Sequence, residues 1–160
     1  MPREHRYDVT VEWTGNRGVG TADYRAYGRE HEISAAGKPA IPGSSDPAFR
    51  GDPSRWNPEE LLVAAASACH KLWYLHLASA AGIAVLAYRD DAVGRMTEDA
   101  KAGDRMSEIL LRPHVTIRAS ADAELAHRLH EEVPARCAIA NSVNFPIRHE
   151  ATVVQAPGQS

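Results

Sequence analysis

The sequence contains few cysteines: Cys69 and Cys137 are the only two in 160 residues. Two cysteines this far apart do not form the disulfide framework of a small secreted protein, and in a cytosolic chain they are expected to be free, buried or redox-active. The signal for a zinc site is weak, because the available histidines form neither a CxxC nor an HExxH pattern. The sequence therefore predicts no metal site. Those histidines are His70, His76, His127 and His130.

Strong net charge and a long uncharged apolar run are missing as well. Eighteen basic and 21 acidic residues give a net charge of −3, and no lysine- or arginine-rich block stands out, which argues against a nucleic-acid partner. The longest apolar stretch, residues 57–82, contains acidic, basic and histidine side chains and is too polar to span a membrane. The first residues, MPREHRYDV, lack the apolar core of a signal peptide. We therefore expect a cytoplasmic protein with no membrane partner.

The composition is that of an ordinary globular protein, with 44% apolar and 24% charged residues. A chain of this length is most simply one domain, residues 1–160, with room for a substantial core. The sequence divides into N-terminal strands at 1–34, a loop at 35–56, a central helix at 57–82, and C-terminal strands with a second helix at 83–154.

The central helix has clear signals at both ends. Asn57 is a favourable N-cap, Pro58 suits the first helical position, and Glu60 completes a capping-box spacing. Gly82 is a natural stop. A helix this long and apolar must be buried over most of its circumference, so its packing decides where Cys69 points.

The first 56 residues predict a hairpin followed by a long loop. Residues 7–13 alternate between apolar and polar side chains, which is typical of a half-buried strand. A glycine-rich turn and a second strand at 21–27 complete the hairpin, and a short third strand is indicated around 31–34. Four prolines and three glycines at 35–56 predict a loop without regular structure, and loops of this length are often functional.

The remaining residues predict strands at 85–93, 107–120 and 147–154. Pro113 interrupts the alternation of the second of these, which indicates an edge strand or a bulge. The second helix, 122–132, has His130 on its apolar face, but together with His127 it is more typical of a solvated or half-buried helix face. The order of elements predicts an α+β domain with a mostly antiparallel sheet and helices on one face.

Two interpretations of Cys69 stay open. Its neighbours are mostly alanine and leucine, and free cysteine is among the most buried residue types, so a small core residue is slightly favoured. A nucleophile would need a nearby cation to hold the thiolate. Cys69 lies about 18 Å along the axis from the cap, where the helix dipole contributes little.

Cys137 and Glu59 raise further hypotheses. A disulfide between the two cysteines would need Cα atoms within about 7 Å, which sequence spacing alone cannot establish. Glu59 can be an ordinary helix-start carboxylate. About 15 Å of one straight helix separates it from Cys69. A site that used both residues would therefore require two copies of the helix to cross in a dimer.

The segment NPEELLVAAASACH at residues 57–70 resembles the signature of the OsmC/Ohr family of thiol-dependent hydroperoxide reductases. It has glutamate and cysteine at that family's ten-residue spacing. The WTGNRGVGT turn, the arginine-containing loop before NPEEL and the position of the second cysteine are weaker matches. The order of elements also agrees, so the resemblance covers nearly the whole chain.

The resemblance implies an intertwined homodimer with a mostly antiparallel sheet wrapped around two central helices. It implies that Cys69 is the peroxidatic cysteine, Cys137 the resolving cysteine, and Glu59 a site glutamate in a stress-response antioxidant enzyme. The substrate would be an organic hydroperoxide, with hydrogen peroxide as a second candidate. An external dithiol such as a lipoyl protein would reduce the disulfide, and no cofactor would be required.

The resemblance also implies an active-site arginine. Alignment of the loop at 35–56 favours Arg50, as in the OsmC-type branch. Ohr-type members use an arginine of the first hairpin, which here would be Arg17. Arg55 is a lesser candidate.

Two departures from the family pattern bear on function. His70 follows the first cysteine where the family often has an apolar aromatic residue, and CAIANS replaces a CPVS-like run at Cys137. Two alternatives to the peroxidase also stay open. One is a binding or structural homodimer with inert thiols, and the other is an acyl-transfer enzyme that uses Cys69 with His70.

Overall fold

The computed structural model describes residues 1–158, so the last two residues of the predicted 1–160 domain lie outside the described residues. The chain forms two compact units, Met1–Leu61 and a second one that begins at Leu62. Helix α1, Pro58–Ala80, contributes its first turn to the first unit and the rest to the second. Among residues 1–158, no helix is both long and apolar enough to cross a membrane.

The first unit contains a three-stranded antiparallel sheet. Its strands are β1, Thr10–Trp13, β2, His31–Ser34, and β3, Ile41–Gly43, in that spatial order. The predicted hairpin between residues 7–13 and 21–27 is wrong, because β1 pairs with β2, with Thr10 opposite Ser34. The first strand begins three residues later than predicted, and its residues are exposed rather than half-buried.

Residues 21–27 form turns instead of a strand. The guanidinium group of Arg29 donates hydrogen bonds to the carbonyl oxygens of Tyr24 and Tyr27, at 2.7 and 2.6 Å. It also lies over both tyrosine rings, 4.5 and 3.9 Å from their centroids. In a strand, the carbonyl groups of Tyr24 and Tyr27 could bond to a neighbouring strand, whereas here they are bound to the Arg29 side chain.

The loop at 35–56 has more regular structure than predicted. It contains β3 and a 3-10 turn at Pro47–Phe49. Trp56 donates its backbone N–H to Pro42, and Ser44 donates its own to Trp56, at 3.0 and 2.8 Å. These bonds bring the ends of the segment between Pro42 and Trp56 together, as in a compact Ω-loop.

Helix α1 begins and ends as its sequence predicts. The Asn57 side chain accepts from the Glu60 N–H at 2.8 Å, and the Glu60 carboxylate accepts from the Asn57 N–H at 3.1 Å, which forms a reciprocal capping box. Gly82, with φ of 75°, follows the last turn, and Ile83 donates to the Ala78 carbonyl at 2.9 Å. This is the Schellman pattern that ends many helices.

The second unit contains two three-stranded sheets. The first sheet has the spatial order β4–β7–β9, with β4 at Val85–Asp90, β7 at Pro113–Ile117 and β9 at Thr152–Gln155. The second sheet has the order β5–β6–β8, with β5 at Val93–Thr97, β6 at Arg105–Leu111 and β8 at Ile147–His149. The β4–β7 and β5–β6 pairs are antiparallel, whereas β6–β8 and β7–β9 are parallel. The α+β class with mostly antiparallel pairing is confirmed, with mixed sheets in this unit.

Pro113 separates two strands that the sequence predicted as one. It is the first residue of β7, where a missing N–H is tolerated, and β7 lies in the centre of its sheet rather than at an edge. The predicted second helix is shorter than expected. Helix α2, Ala123–Arg128, continues as a 3-10 turn, Leu129–Glu132.

The core of the second unit lies under one face of α1. The buried residues of α1 recur every four positions, which places them on one stripe. Tyr74 and Ala78 from this stripe pack with buried residues of β7, α2 and the segment that follows the 3-10 turn. The stripe consists of Ala66, His70, Tyr74 and Ala78.

Candidate active site

The two cysteines lie next to each other in the second unit, with their side chains within hydrogen-bonding reach. Cys69 is half-buried on α1, beside the buried stripe, and Cys137 is 2% exposed in the same apolar cluster. Both thiols are free. The segment after the 3-10 turn positions Cys137, because its backbone N–H donates to Val133 at 3.0 Å. The Ala140 N–H points at the Cys137 sulfur, 3.4 Å away.

The environment of Cys137 favours its protonated form. Burial raises the pKa of the Cys137 thiol, and the neighbouring Cys69 thiol raises it further, while backbone N–H groups act in the opposite direction. Desolvation disfavours the charged form of an acid, so a buried thiol keeps its proton. Cys137 is therefore expected to need a nearby proton acceptor before it can act as a nucleophile.

A buried pair of histidines lies beside the thiols. The Nε2 atom of His70, on the stripe of α1, lies 2.9 Å from the Nδ1 atom of His130, on the 3-10 turn. His70 is 3% exposed and His130 is 1% exposed. The ring of Tyr74 stacks on His130 with centroids 3.9 Å apart. Mainly through burial, and secondarily through neighbouring imidazoles, the pKa of His70 is lowered to about 4 and that of His130 to about 3. The pair is neutral at pH 7.

A third imidazole, His149 at the end of β8, completes the group. Its ring centroid is 5.4 Å from that of His70 and 6.0 Å from that of His130. Its Nε2 lies 3.3 Å from a carboxylate oxygen of Glu131, and its side chain is 14% exposed. His149, His70 and Cys137 all line one small cavity, which has a volume of ≈ 10 Å³. That volume is about the minimum for one water.

The sequence did not identify this histidine group. His130 was predicted on a solvated or half-buried helix face, and the structure shows that this is wrong, because the turn directs it inward against Tyr74. His127 is exposed, as a solvated face requires. The signal that could have found His130 was its place beside Leu129 and Val133 in the apolar pattern. Nothing local marked His149, which the parallel pairing of β8 with β6 brings into place.

Glu59 lies in the first turn of α1, within the first unit. It is half-buried, and within residues 1–158 its Oε2 atom is buried and has no hydrogen-bond partner. A buried carboxylate oxygen without a donor is costly. Glu60, by contrast, belongs to the capping box. The two glutamates thus differ in their contacts, since only Glu60 makes a capping hydrogen bond.

The three candidate arginines differ in their surroundings. Arg55 donates to the Gly43 carbonyl at 2.9 Å and pairs with the Glu32 carboxylate at 2.5 Å, so it ties the loop to the sheet. Arg17 pairs with Glu30 at 3.2 Å. Arg50 is exposed, has a left-handed backbone with φ of 64°, and forms no side-chain hydrogen bond or ion pair within residues 1–158. Arg50 is therefore the candidate whose side chain stabilises no other contact in the described part of the chain.

Across residues 1–158, no group of three or more His, Cys, Asp or Glu side chains is arranged to hold a metal ion. In the histidine group, the Nε2 of His70 and the Nδ1 of His130 point at each other in nearly coplanar rings, 9° apart. This geometry is that of a hydrogen bond between neutral imidazoles, one donating and one accepting.

These features match a known family. The family model described as OsmC-like protein matches residues 51–152, which is more than half of the chain. The chain therefore belongs to the OsmC-like family, as its sequence indicated. None of the curated protein sequences matches it.

Solved structures agree on the fold. An OsmC-like protein of unknown function from Vibrio cholerae is 26% identical with a TM-score of 0.83, over 93% of this chain and 100% of that chain. A protein from Legionella pneumophila, described as an organic hydroperoxide resistance protein OsmC and predicted redox protein, is 16% identical with a TM-score of 0.67, over 94% and 98%. An organic hydroperoxide resistance protein from Elizabethkingia anophelis, with bound thiocyanate, is 18% identical with a TM-score of 0.65, over 96% and 100%.

Proposed function

We propose that the protein is a thiol-dependent peroxidase that reduces organic hydroperoxides, with hydrogen peroxide as a second candidate substrate. The observation that carries the proposal is the juxtaposition of the Cys69 and Cys137 thiols, which are 68 positions apart in the sequence. One thiol is half-buried and the other is almost fully buried, which suits an attacking and a resolving cysteine. Membership of a family with members called organic hydroperoxide resistance proteins supports the same chemistry.

The proposed cycle needs only thiol chemistry. The Cys69 thiolate attacks the peroxide O–O bond, takes one oxygen as a sulfenic acid, and releases the alcohol. Cys137 then attacks the Cys69 sulfur, water leaves, and a disulfide forms. An external dithiol, such as a lipoyl protein, restores both thiols by exchange. The setting is the cytoplasm, where such thiols stay reduced.

Glu59 and Arg50 complete the proposed site. The buried Oε2 of Glu59 is a ready acceptor for a guanidinium group, and an arginine aligned in this way can stabilise a thiolate and bind peroxide oxygens. Arg50 suits the task because its exposed side chain is uncommitted within residues 1–158. Its neighbour Arg55 already holds the loop to the sheet.

The proposed assembly is an intertwined homodimer. Leu72 on helix α1 is 61% exposed, and Val11 on β1 is 64% exposed. Both elements therefore carry apolar surface that a second copy of the chain can cover. The rise of an α-helix separates Glu59 and Cys69 by about 15 Å. The site therefore takes Glu59 from one protomer and Cys69 from its partner.

Thiol mapping tests the peroxidase directly. Reduced protein is treated with one equivalent of cumene hydroperoxide, quenched at short times, and digested for mass spectrometry. We expect a Cys69–Cys137 disulfide in the wild type and a trapped sulfenic acid on Cys69 in Cys137→Ser. Unreacted thiols would reject the peroxidase in favour of a homodimer with inert thiols. Acyl transfer would instead give a thioester on Cys69, and the structure lends it little support because His70 Nε2 is bonded to His130.

The arginine assignment is tested by three substitutions measured for both rate and stability. Arg50→Ala should slow peroxide consumption by about 100-fold, the size expected for a lost charge stabiliser, with little change in stability. Arg55→Ala should mainly lower stability, since it removes bonds to Gly43 and Glu32. Arg17→Ala should leave the rate near that of the wild type. A large rate loss in Arg17→Ala alone would move the role to the hairpin.

Subunit mixing tests the shared site. Glu59→Gln and Cys69→Ser are each expected to be inactive. After mixing and exchange, half of the dimers are mixed and one of their two sites is intact, so about a quarter of wild-type activity should return in a two-fold symmetric dimer. A site built within one chain predicts no recovery, and light scattering on the same samples reports the oligomeric state.

A further inference from the structure

Cys137 and His149 line the same small cavity, and the Nε2 atom of His149 lies 3.3 Å from a carboxylate oxygen of Glu131. We propose that His149, oriented by Glu131, is the general base that removes the proton of Cys137 across this cavity when Cys137 condenses with an oxidised Cys69. Glu131 is a positioning residue in this arrangement. The inference rests on the proposed function for the origin of the oxidised cysteine, and it adds a residue to the second step of the cycle.

Cys137 needs an internal base because bulk solvent has little access to it. The residue is 2% exposed, so hydroxide and buffer bases in bulk water have little access to the thiol. Burial also raises the pKa of the Cys137 thiol, which leaves a small thiolate fraction at neutral pH. The thiolate is the attacking species in disulfide formation. A proton acceptor in contact with the cavity removes this obstacle.

His149 is the imidazole of the group best placed to accept that proton. The other two rings are bonded to each other and are more deeply buried, so charging either of them is disfavoured by desolvation. His149 keeps 14% of its side chain exposed and has a carboxylate 3.3 Å from Nε2. A carboxylate beside one ring nitrogen fixes the tautomer and stabilises the imidazolium that forms, as in a catalytic triad. Within residues 1–158, the other ring nitrogen, Nδ1, makes no hydrogen bond and can accept a proton.

The groups that face His149 come from several elements. His70 on α1 and His130 on the 3-10 turn are neutral at pH 7, Glu131 on the same turn supplies the negative charge, and Cys137 lies across the cavity. The positive form of His149 therefore has one carboxylate as its partner. Protonation of His70 or His130 would oppose it, which is a further reason for the pair to remain neutral.

The proposed step balances in atoms and protons. A water in the cavity relays the proton from the Cys137 sulfur to His149, and the resulting thiolate attacks the sulfur of the Cys69 sulfenic acid. The S–S bond forms while the S–O bond of Cys69 breaks. The departing hydroxide takes the proton back from His149 and leaves as water. The imidazole is thus regenerated in each cycle.

The test separates the two steps of oxidation. Reduced protein is mixed with cumene hydroperoxide, and samples are quenched either with dimedone, which traps the sulfenic acid, or with an alkylating agent, which reports the disulfide. In His149→Gln the first step should keep its wild-type rate. Closure of the disulfide should slow by about 100-fold, the lower part of the range for general base catalysis.

Two further variants keep the result clear if His149→Gln folds poorly. Glu131→Gln changes an exposed carboxylate that is 74% accessible, so folding should be preserved while closure slows in the same direction by a smaller factor. His127→Gln is the matched control, because this exposed histidine does not line the cavity, and its closure rate should equal that of the wild type. Wild-type closure rates in both His149→Gln and Glu131→Gln would overturn the proposal.

The pH dependence of disulfide closure distinguishes a general base at His149 from a residue with only a structural role. In the wild type, closure should depend only weakly on pH near neutrality, because the proton of Cys137 passes to an internal base and not to hydroxide. In His149→Gln, closure should instead rise by about tenfold per pH unit, because only spontaneous ionisation of Cys137 supplies thiolate. A slower rate with an unchanged profile would mean a structural effect and would reject the general base.

A second oxidant makes failure of this inference distinguishable from failure of the proposed function. Diamide adds to the more accessible Cys69 thiol without any peroxide, and Cys137 must then lose its proton to displace the adduct and close the disulfide. If peroxide does not oxidise Cys69, the proposed function fails, and the closure rates with diamide still decide the role of His149. A dependence on His149 supports the base, and independence rejects it.

Discussion

The buried pair formed by His70 and His130 predicts that the protein loses stability on acidification well above the pH at which carboxylates titrate. An unperturbed histidine has a pKa of 6.5, whereas burial lowers the pKa of His70 to about 4 and that of His130 to about 3. Between these values and 6.5, the unfolded chain binds two protons that the folded protein does not. The folded state therefore has its full stability above pH 6.5 and loses it progressively as the pH falls toward 4 and then 3.

The magnitude follows from the number of protons. Each contributes a limiting slope of about 1.4 kcal/mol per pH unit, so the pair gives about 2.7 kcal/mol per unit. Integrated from pH 7 to pH 5, each histidine removes about 2 kcal/mol and the pair about 4 kcal/mol. This result depends little on the exact folded-state values, because both lie below 5. A loss of 4 kcal/mol is a large part of the stability of a typical domain.

Urea unfolding at fixed protein concentration, at a series of pH values from 7 to 5, measures this loss. His130→Gln should lose about half of the pH-dependent term, because one of the two proton-binding groups is gone. The exposed His127→Gln should keep the wild-type slope, and comparing slopes cancels any constant cost of either substitution. A wild-type slope in His130→Gln would refute the idea that this imidazole is held neutral in the folded protein.

Three other predictions concern local contacts. Tyr74→Phe removes a buried hydroxyl that donates to the Ala126 carbonyl at 2.9 Å and should lower the free energy of unfolding by about 1–2 kcal/mol; an unchanged urea midpoint would contradict this. Asn57→Ala removes the helix cap and should cost about 1 kcal/mol, restored in part by Asn57→Ser if the cap is the cause. In the native reduced protein, maleimide should label the half-buried Cys69 before the buried Cys137, with the difference lost in denaturant; equal native rates would mean that Cys137 is accessible.

The central helix was predictable because its signals are local. The cap at Asn57, the carboxylate of Glu60 and the stop at Gly82 each act within one or two turns, and the structure reproduces all three. The strand predicted at residues 21–27 is absent for a local reason that the strand propensities of its residues do not capture. The side chain of Arg29 binds the carbonyl groups of Tyr24 and Tyr27, which favours turns over a strand.

The histidine group could not be predicted because tertiary contacts build it. His70 and His130 are 60 positions apart, and their bond depends on how the 3-10 turn packs against α1. His149 arrives through a parallel strand pair, which has no signature in neighbouring residues. The family pattern supplied expectations for Cys69 and Cys137, whereas their surroundings had to come from the structure.

The unequal exposure of the two thiols also bears on how a disulfide between them would be reduced. An incoming thiol can reach Cys69, whereas Cys137 is 2% exposed, so the mixed disulfide would form on Cys69 and Cys137 would be the leaving group. Burial raises the pKa of the Cys137 thiol, and thiols of high pKa leave slowly. Regeneration would then require a proton delivered to Cys137 as it departs. The same cavity would serve as a proton acceptor during oxidation and as a proton donor during reduction.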